Sequence, residues 1–122
     1  MSDPNFIILY VNNPPASTDF YTNLLAKAPI EASTTFAMFA LDSGVMLGLW
    51  SRHTVAPEAV ALPGSSEIAF SVTDCTQVDA KYREWADRGL RIAQTPTAMD
   101  FGHTFVALDP DGHRLRVFAP AG

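Results

Sequence analysis

The 122-residue sequence predicts an α+β fold built from two βαβββ modules within a single domain, residues 1–122. Three observations lead to this prediction. A strand-like run, Phe6–Asn13, has a counterpart in Glu67–Asp74, which lies 61 residues further on, half the length of the chain. An amphipathic segment follows each run, and three short strand-like segments follow each amphipathic segment. Because half the chain is too small to cover its own sheet well, we expect the halves to pair, within one chain or across a dimer.

The two helices are predicted from their caps and their periodicity. Asn13 and Asp74 are both favoured N-cap residues at the ends of the matching strands. They predict one helix over about 14–27 and another over about 75–88, which Gly89 would terminate. The second helix has one apolar stripe at helical spacing, so we interpret Trp85 as a core residue rather than a ligand platform: Val78, Tyr82, Trp85 and Ala86.

The remaining strands and the linker follow from short apolar runs and turn signals. The first module spans residues 5–51, the linker 52–66 and the second module 67–119. The linker is rich in Pro, Ala, Gly and Ser. Strands are expected at roughly 29–34, 36–42 and 45–51, and at roughly 91–97, 103–109 and 113–119.

Composition excludes several classes of function. The net charge of −5 argues against a nucleic-acid partner. A single cysteine, Cys75, excludes an intrachain disulfide and a metal site of several cysteines. The longest apolar runs have six residues, too few to cross a membrane, and the N-terminus has no signal-like pattern. We therefore expect a cytoplasmic protein with no membrane partner.

Alternation along the strands assigns the two faces of each sheet. Ile7, Leu9 and Val11 are expected beneath the helices, as are their counterparts in the second half. The opposite face would carry aromatic, small and charged side chains: Phe6, Ile8, Tyr10, Met46, Gly48, Trp50, Glu67, Ala69, Ser71, Arg114, Arg116 and Phe118. This mixture is typical of a ligand cleft, although a solvated sheet face or a dimer interface is an alternative.

A set of short motifs, taken in order with the repeat, carries a family resemblance. Phe20–Tyr21 follows a strand that ends Val-Asn-Asn, and Asp109–Val117 has the sequence DPDGHRLRV. Together they resemble the vicinal oxygen chelate superfamily of glyoxalases, bleomycin-resistance proteins and extradiol dioxygenases, over nearly the whole chain. Four stretches look most like those of metal-free, small-molecule-binding resistance proteins such as phenazine-binding ones: Ser17–Tyr21, Leu49–Ser51, Ser66–Ile68 and Leu115–Val117. The resemblance implies a curved mixed sheet around a cleft, and usually a homodimer.

The resemblance also raises the question of a metal. Metal-dependent members place His, Gln or Glu at the start of the first strand and near the end of the fourth strand of each half. In this sequence those positions hold Phe6, Gly48, Glu67 and Arg116. Phe and Gly offer no ligating side-chain atom and Arg remains protonated, so one carboxylate is left where three or four ligands are the rule. We expect no metal and no cofactor.

Charged and histidine residues at the implied cleft have separate interpretations. Glu67 and Arg116 would lie on neighbouring strands, where an ion pair would replace two metal ligands. His103 is a candidate ligand contact because its loop edges the cleft in the family, and a pair with Asp100 for acid–base chemistry is a further option. The other two histidines are interpreted as solvent or turn residues: His53 and His113.

The leading hypothesis is a metal-free protein that binds a planar aromatic small molecule, with antibiotic resistance by sequestration as one form of that activity. Trp50 is the principal stacking candidate. The other candidate ligand-binding residues are Phe6, Tyr10, Gly48, Glu67, Phe101, His103 and Arg116, whereas Phe39 and Phe105 could equally belong to the core. No catalytic residue is assigned. The alternatives are a metal-dependent lyase or dioxygenase, and an interaction module whose apolar face is a dimer interface.

Overall fold

The computed structural model describes residues 3–121 and has the α+β architecture that the repeat predicts. The chain forms two compact units, the first ending at Ala61 and the second beginning at Leu62. Each unit contains one helix and four strands in the order βαβββ. The elements are β1 (Phe6–Val11), α1 (Pro14–Leu25), β2 (Glu31–Ala32), β3 (Phe36–Ala40), β4 (Met46–Ser51), β5 (Glu67–Ser71), α2 (Cys75–Asp87), β6 (Arg91–Met99), β7 (Gly102–Leu108) and β8 (Arg114–Pro120).

The two sheets have the same mixed topology. The strand order is β1-β4-β3-β2 in the first unit and β5-β8-β7-β6 in the second. The first strand of each unit pairs in parallel with the fourth, and the other neighbours are antiparallel. A parallel pair needs a long crossover, which the helix and the two intervening strands supply. The repeat in the sequence is therefore a repeat of topology as well.

Strand β2 is much shorter than the predicted strand over 29–34, and it is bounded by Pro29 on one side and by a turn at Ser33 on the other. Pro29 has no backbone N–H to donate to a neighbouring strand. At the other end, the Ser33 hydroxyl accepts a hydrogen bond from the Phe36 N–H at 3.1 Å and closes a tight turn into β3. The residues in register with β3 are Glu31 and Ala32, and the Ile30 N–H beside them also donates to a β3 carbonyl at 2.8 Å.

Both helices begin at the predicted caps. The Asn13 side chain accepts a hydrogen bond from the Ala16 N–H at 3.1 Å, and Asp74 accepts one from the Gln77 N–H at 3.0 Å. Gly89 has a φ of +87° after α2, so the prediction that it terminates the helix is confirmed. Helix α1 ends two residues before the predicted limit, because Ala26 takes a left-handed φ of 54°.

The core of each unit lies between its helix and one face of its sheet. In the second unit, the Trp85 ring packs edge-to-face against Phe70 and Phe105, at centroid distances of 5.7 and 5.4 Å. Trp85 is only 3% exposed, which confirms its interpretation as a core residue. Phe39 and Phe105 could be either core or ligand-binding residues by sequence alone. Both are fully buried in the structure and belong to the core.

The segment 52–66 contains neither helix nor strand. Near its start, Val55 is buried. Among residues 3–121, neither of the two helices has the length and apolar content needed to cross a membrane.

Candidate functional site

The face of the first unit's sheet opposite α1 carries a group of aromatic side chains centred on Trp50. The register places Tyr10 and Phe36 on either side of Trp50, on β1 and β3. Both rings meet the indole edge-to-face, Tyr10 at a centroid distance of 6.5 Å and Phe36 at 6.3 Å. Trp50 is half-buried and Tyr10 is 41% exposed, so this face, which we call the Trp50 face, is accessible within the unit.

Gly48 lies two residues before Trp50 on the same face and is covered by two phenyl rings. A Cβ atom placed on Gly48 would lie 2.8 Å from Phe6 Cε1 and 3.2 Å from Phe36 Cζ. Both residues are diagonal cross-strand neighbours of Gly48, a position from which aromatic rings reach over a small residue. Within the first unit alone, Gly48 therefore leaves no open room for a ligand ring. A ring that approached Gly48 would have to displace Phe6, which is 39% exposed.

The second unit brings Glu67 and Arg116 together, as the resemblance implied. Arg116 Nε donates a hydrogen bond to Glu67 Oε1 at 2.6 Å. Arg116 Nη1 donates to Thr104 Oγ1 at 3.1 Å and to Gln94 Oε1 at 3.3 Å. With three partners from three strands, the guanidinium is held in one orientation and its charge is balanced by Glu67.

Two aromatic rings extend this group, which we call the Arg116 cluster. The Phe101 ring centroid lies 5.7 Å from Arg116 Cζ, within the range of a cation–π contact. Phe101 also meets Phe118 edge-to-face at 6.0 Å. Three sequence-predicted site residues, Glu67, Phe101 and Arg116, are thus in contact on one face of this sheet. Sequence reasoning placed Phe118 on this face but did not assign Gln94 or Thr104, whose strand positions could have indicated them.

His103 lies on the other face of the same sheet, away from the Arg116 cluster. It follows Gly102 and precedes Thr104 on β7, where it pairs with Ala119 of β8. Its Nε2 is 2.9 Å from Asp79 Oδ1 of α2. The option of an acid–base pair between His103 and Asp100 is therefore wrong. Alternation along β7 predicts that His103 points toward the helix. It does not predict which carboxylate of the helix His103 contacts.

The residues at the family's metal positions do not fit a divalent cation. In the first unit these positions hold Phe6 and Gly48, which have no ligating side-chain atoms. In the second unit the Glu67 carboxylate is bound to the Arg116 guanidinium. Among residues 3–121, no group of three or more His, Cys, Asp or Glu side chains is placed to hold a metal ion.

Comparison with known proteins agrees with this architecture. The phenazine antibiotic resistance protein EhpR of Enterobacter agglomerans is 32% identical over 118 residues, which cover 93% of this chain and 89% of that protein. A protein from Agrobacterium tumefaciens, solved by solution NMR, is 53% identical, with a TM-score of 0.92 and full coverage of both chains. A glyoxalase-related enzyme from Fulvimarina pelagi shares the fold, with a TM-score of 0.84 at 23% identity, covering 100% of this chain and 94% of that chain. The family model of the Glyoxalase/Bleomycin resistance protein/Dioxygenase superfamily matches residues 4–117, and the chain belongs to that superfamily.

Proposed function

We propose that this protein binds a planar aromatic small molecule without a metal or cofactor and acts by holding it rather than by converting it. The observation that carries this proposal is the Trp50 face, on which Trp50 is flanked by Tyr10 and Phe36. Aromatic rings bind planar ligands through dispersion and offset or edge-to-face contact. The name of the relative EhpR supports the ligand class, because phenazines are flat aromatic compounds.

The chemistry of this face favours binding over turnover. Three aromatic side chains share this face with Trp50: Phe6, Tyr10 and Phe36. Only Tyr10 among them carries a titratable group. General acid–base or nucleophilic catalysis requires a proton acceptor placed beside the reacting group. In the second unit, His103 of β7 and Asp79 of α2 form such a pair, but it lies between the sheet and the helix. The face that stands exposed for a flat ligand therefore offers contact area and little reactive chemistry.

The direct test is a titration of the purified protein with phenazine, acridine and other planar compounds, followed by recovery of each ligand. We expect saturable quenching of tryptophan fluorescence by at least one compound. That compound should be recovered chemically unchanged after overnight incubation, because sequestration forms no product. Failure of every compound to bind, or steady conversion of the bound one, would remove the basis of the proposal.

The same proposal predicts the metal content of the protein. Protein purified without chelators should contain no stoichiometric zinc, nickel, manganese or iron, because the four family positions supply one carboxylate that is already paired with Arg116. Elemental analysis measures this directly, and Glu67→Gln is the matched variant that should leave the result unchanged. One equivalent of metal in the wild type, lost in Glu67→Gln, would favour the alternative of a metal-dependent lyase or dioxygenase.

We also infer that the protein forms a homodimer. The edge strand β1 exposes large apolar side chains on both of its faces, with 39% to 44% of each accessible: Phe6, Ile7, Ile8 and Tyr10. Apolar surface in this amount is typical of an interaction site. Sedimentation at micromolar concentration should show a dimer that Ile7→Lys weakens. Ile30→Lys, which changes an exposed isoleucine outside β1, should leave it intact. A monomeric wild type would contradict this inference.

A further inference from the structure

The second unit contains a small cavity on the face of its sheet opposite α2. Its volume is about 250 Å³, and it is lined by Ala93, Gln94, Val106, Arg114 and Arg116. This is below the roughly 300–1,000 Å³ of pockets that enclose drug-sized ligands, so it suits a single ring or a compact polar group. We call this cavity the Arg114 pocket.

Strand geometry explains why these side chains converge. Arg114 and Arg116 are two residues apart on β8 and therefore project from the same face. On the edge strand β6, the pairing with β7 shifts in register between Ile92 and Gln94. A bulge of this kind re-aims side chains, which is consistent with two consecutive residues, Ala93 and Gln94, lining one cavity.

The charges in the Arg114 pocket do not cancel. Arg116 is paired with Glu67 at 2.6 Å and is fixed further by Gln94 and Thr104. Arg114 is exposed and, among residues 3–121, has no carboxylate within 4.0 Å. Glu67 is its cross-strand neighbour, but Oε1 of that carboxylate accepts its hydrogen bond from Arg116. One guanidinium charge therefore remains for a ligand.

We propose that Arg114 binds the carboxylate of a small planar organic acid in this pocket. A guanidinium presents parallel N–H donors that match the two oxygens of a carboxylate. Ala93 is exposed at the pocket and offers the hydrocarbon part of the acid a small apolar contact, whereas Val106 is only 2% exposed. A single ring with a carboxylate suits the volume of about 250 Å³ better than an inorganic anion, which would pair with Arg114 but leave most of the pocket unfilled. This inference goes beyond the proposed function, because it concerns residues of the second unit alone and does not depend on Trp50.

The test is an NMR titration of nitrogen-labelled protein with benzoate, its neutral isostere benzamide, and inorganic phosphate. Benzoate should shift the amide signals of Ala93, Gln94, Val106 and Arg114 in a saturable way. Benzamide lacks the charge and phosphate lacks the ring, so each should bind about two- to fivefold more weakly, as expected when one contact is lost at an exposed guanidinium.

Two matched variants complete the experiment. Arg114→Gln should weaken benzoate binding about two- to fivefold while keeping a dispersed, folded spectrum. Arg83→Gln removes the same charge from an exposed position on α2 and should bind benzoate like the wild type. Equal binding of benzoate by both variants, no shift with benzoate, or equal shifts with benzamide or phosphate would overturn the assignment. Phenazine binding is measured separately, so failure here leaves the proposed function standing.

Discussion

Replacing Trp50 with alanine should weaken phenazine binding by roughly tenfold to a hundredfold, which corresponds to ~1–3 kcal/mol. The substitution removes the indole that packs edge-to-face with Tyr10 and Phe36, and with it the apolar surface that a flat ligand would contact. The fold should be preserved, because Trp50 is only half-buried and lies outside the helix-covered core. Equilibrium titration of the wild type and of Trp50→Ala measures the loss.

The matched control uses the second tryptophan of the chain. Trp85 is 3% exposed and packs against Phe70 and Phe105, so its indole offers almost no accessible surface on which a flat ligand could stack. Trp85→Phe should keep both the affinity for phenazine and the fluorescence quenching, which then comes from Trp50 alone. If Trp50→Ala binds phenazine as tightly as the wild type, the Trp50 face is not the binding surface.

Replacing Gly102 with alanine should lower the free energy of unfolding by roughly 3 kcal/mol or more. Gly102 begins β7 with a φ of +147°, and an added Cβ would collide with the backbone oxygen of Ala119 and lie 2.9 Å from the backbone nitrogen of Ala121. Backbone atoms of a paired strand cannot move aside as a flexible side chain can. Ala121 is also tied to the Phe101 carbonyl by a 2.8 Å hydrogen bond, so any shift would disturb the loop that carries Phe101.

Gly112→Ala separates backbone strain from the clash. Gly112 has a φ of +95°, but an added Cβ would meet no heavy atom within 4 Å. Its cost should be about 1–2 kcal/mol, from the left-handed conformation alone. Urea unfolding followed by circular dichroism measures both variants. Equal losses for Gly102→Ala and Gly112→Ala would show that the contact with Ala119 is not rigid.

Much of the fold could be predicted because local signals repeat. The strand-cap-helix pattern occurs twice, and Asn13 and Asp74 cap their helices as expected. Alternation along β8 placed Leu115 and Val117 in the core and Arg116 on the opposite face. These features depend on periods of two and 3.6 residues, which a sequence shows directly.

What could not be predicted depends on how side chains fill space. That Phe6 and Phe36 cover Gly48 follows from their rotamers, for which the sequence gives no signal. The sequence offers Asp100, three residues away in the chain, as one option for a partner of His103, whereas the partner in the structure is Asp79 on helix α2. Strand β2 was overestimated because the Ser33 side chain competes for the backbone that would have continued it.

The sequence predicts only some of the contacts made by the polar side chains of the second unit. Arg116 was predicted through its pairing with Glu67, but its hydrogen bonds to Gln94 and Thr104 were missed. Thr104 is a small polar residue within an apolar strand, a signal that alternation alone does not interpret. Arg114 was assigned to the correct face without a role, because the sequence alone, without the family resemblance, does not show that the Glu67 carboxylate pairs with Arg116.

The most direct test of the central claim, metal-free binding of a planar ligand at the Trp50 face, is a phenazine titration of Trp85→Phe protein after exhaustive treatment with a chelator. This variant retains Trp50 as its single tryptophan, because the chain has two. We predict saturable quenching with the same affinity before chelation, after chelation and after addition of zinc or nickel, with phenazine recovered unchanged. Absence of quenching, or binding that appears only when a metal is restored, would contradict the account.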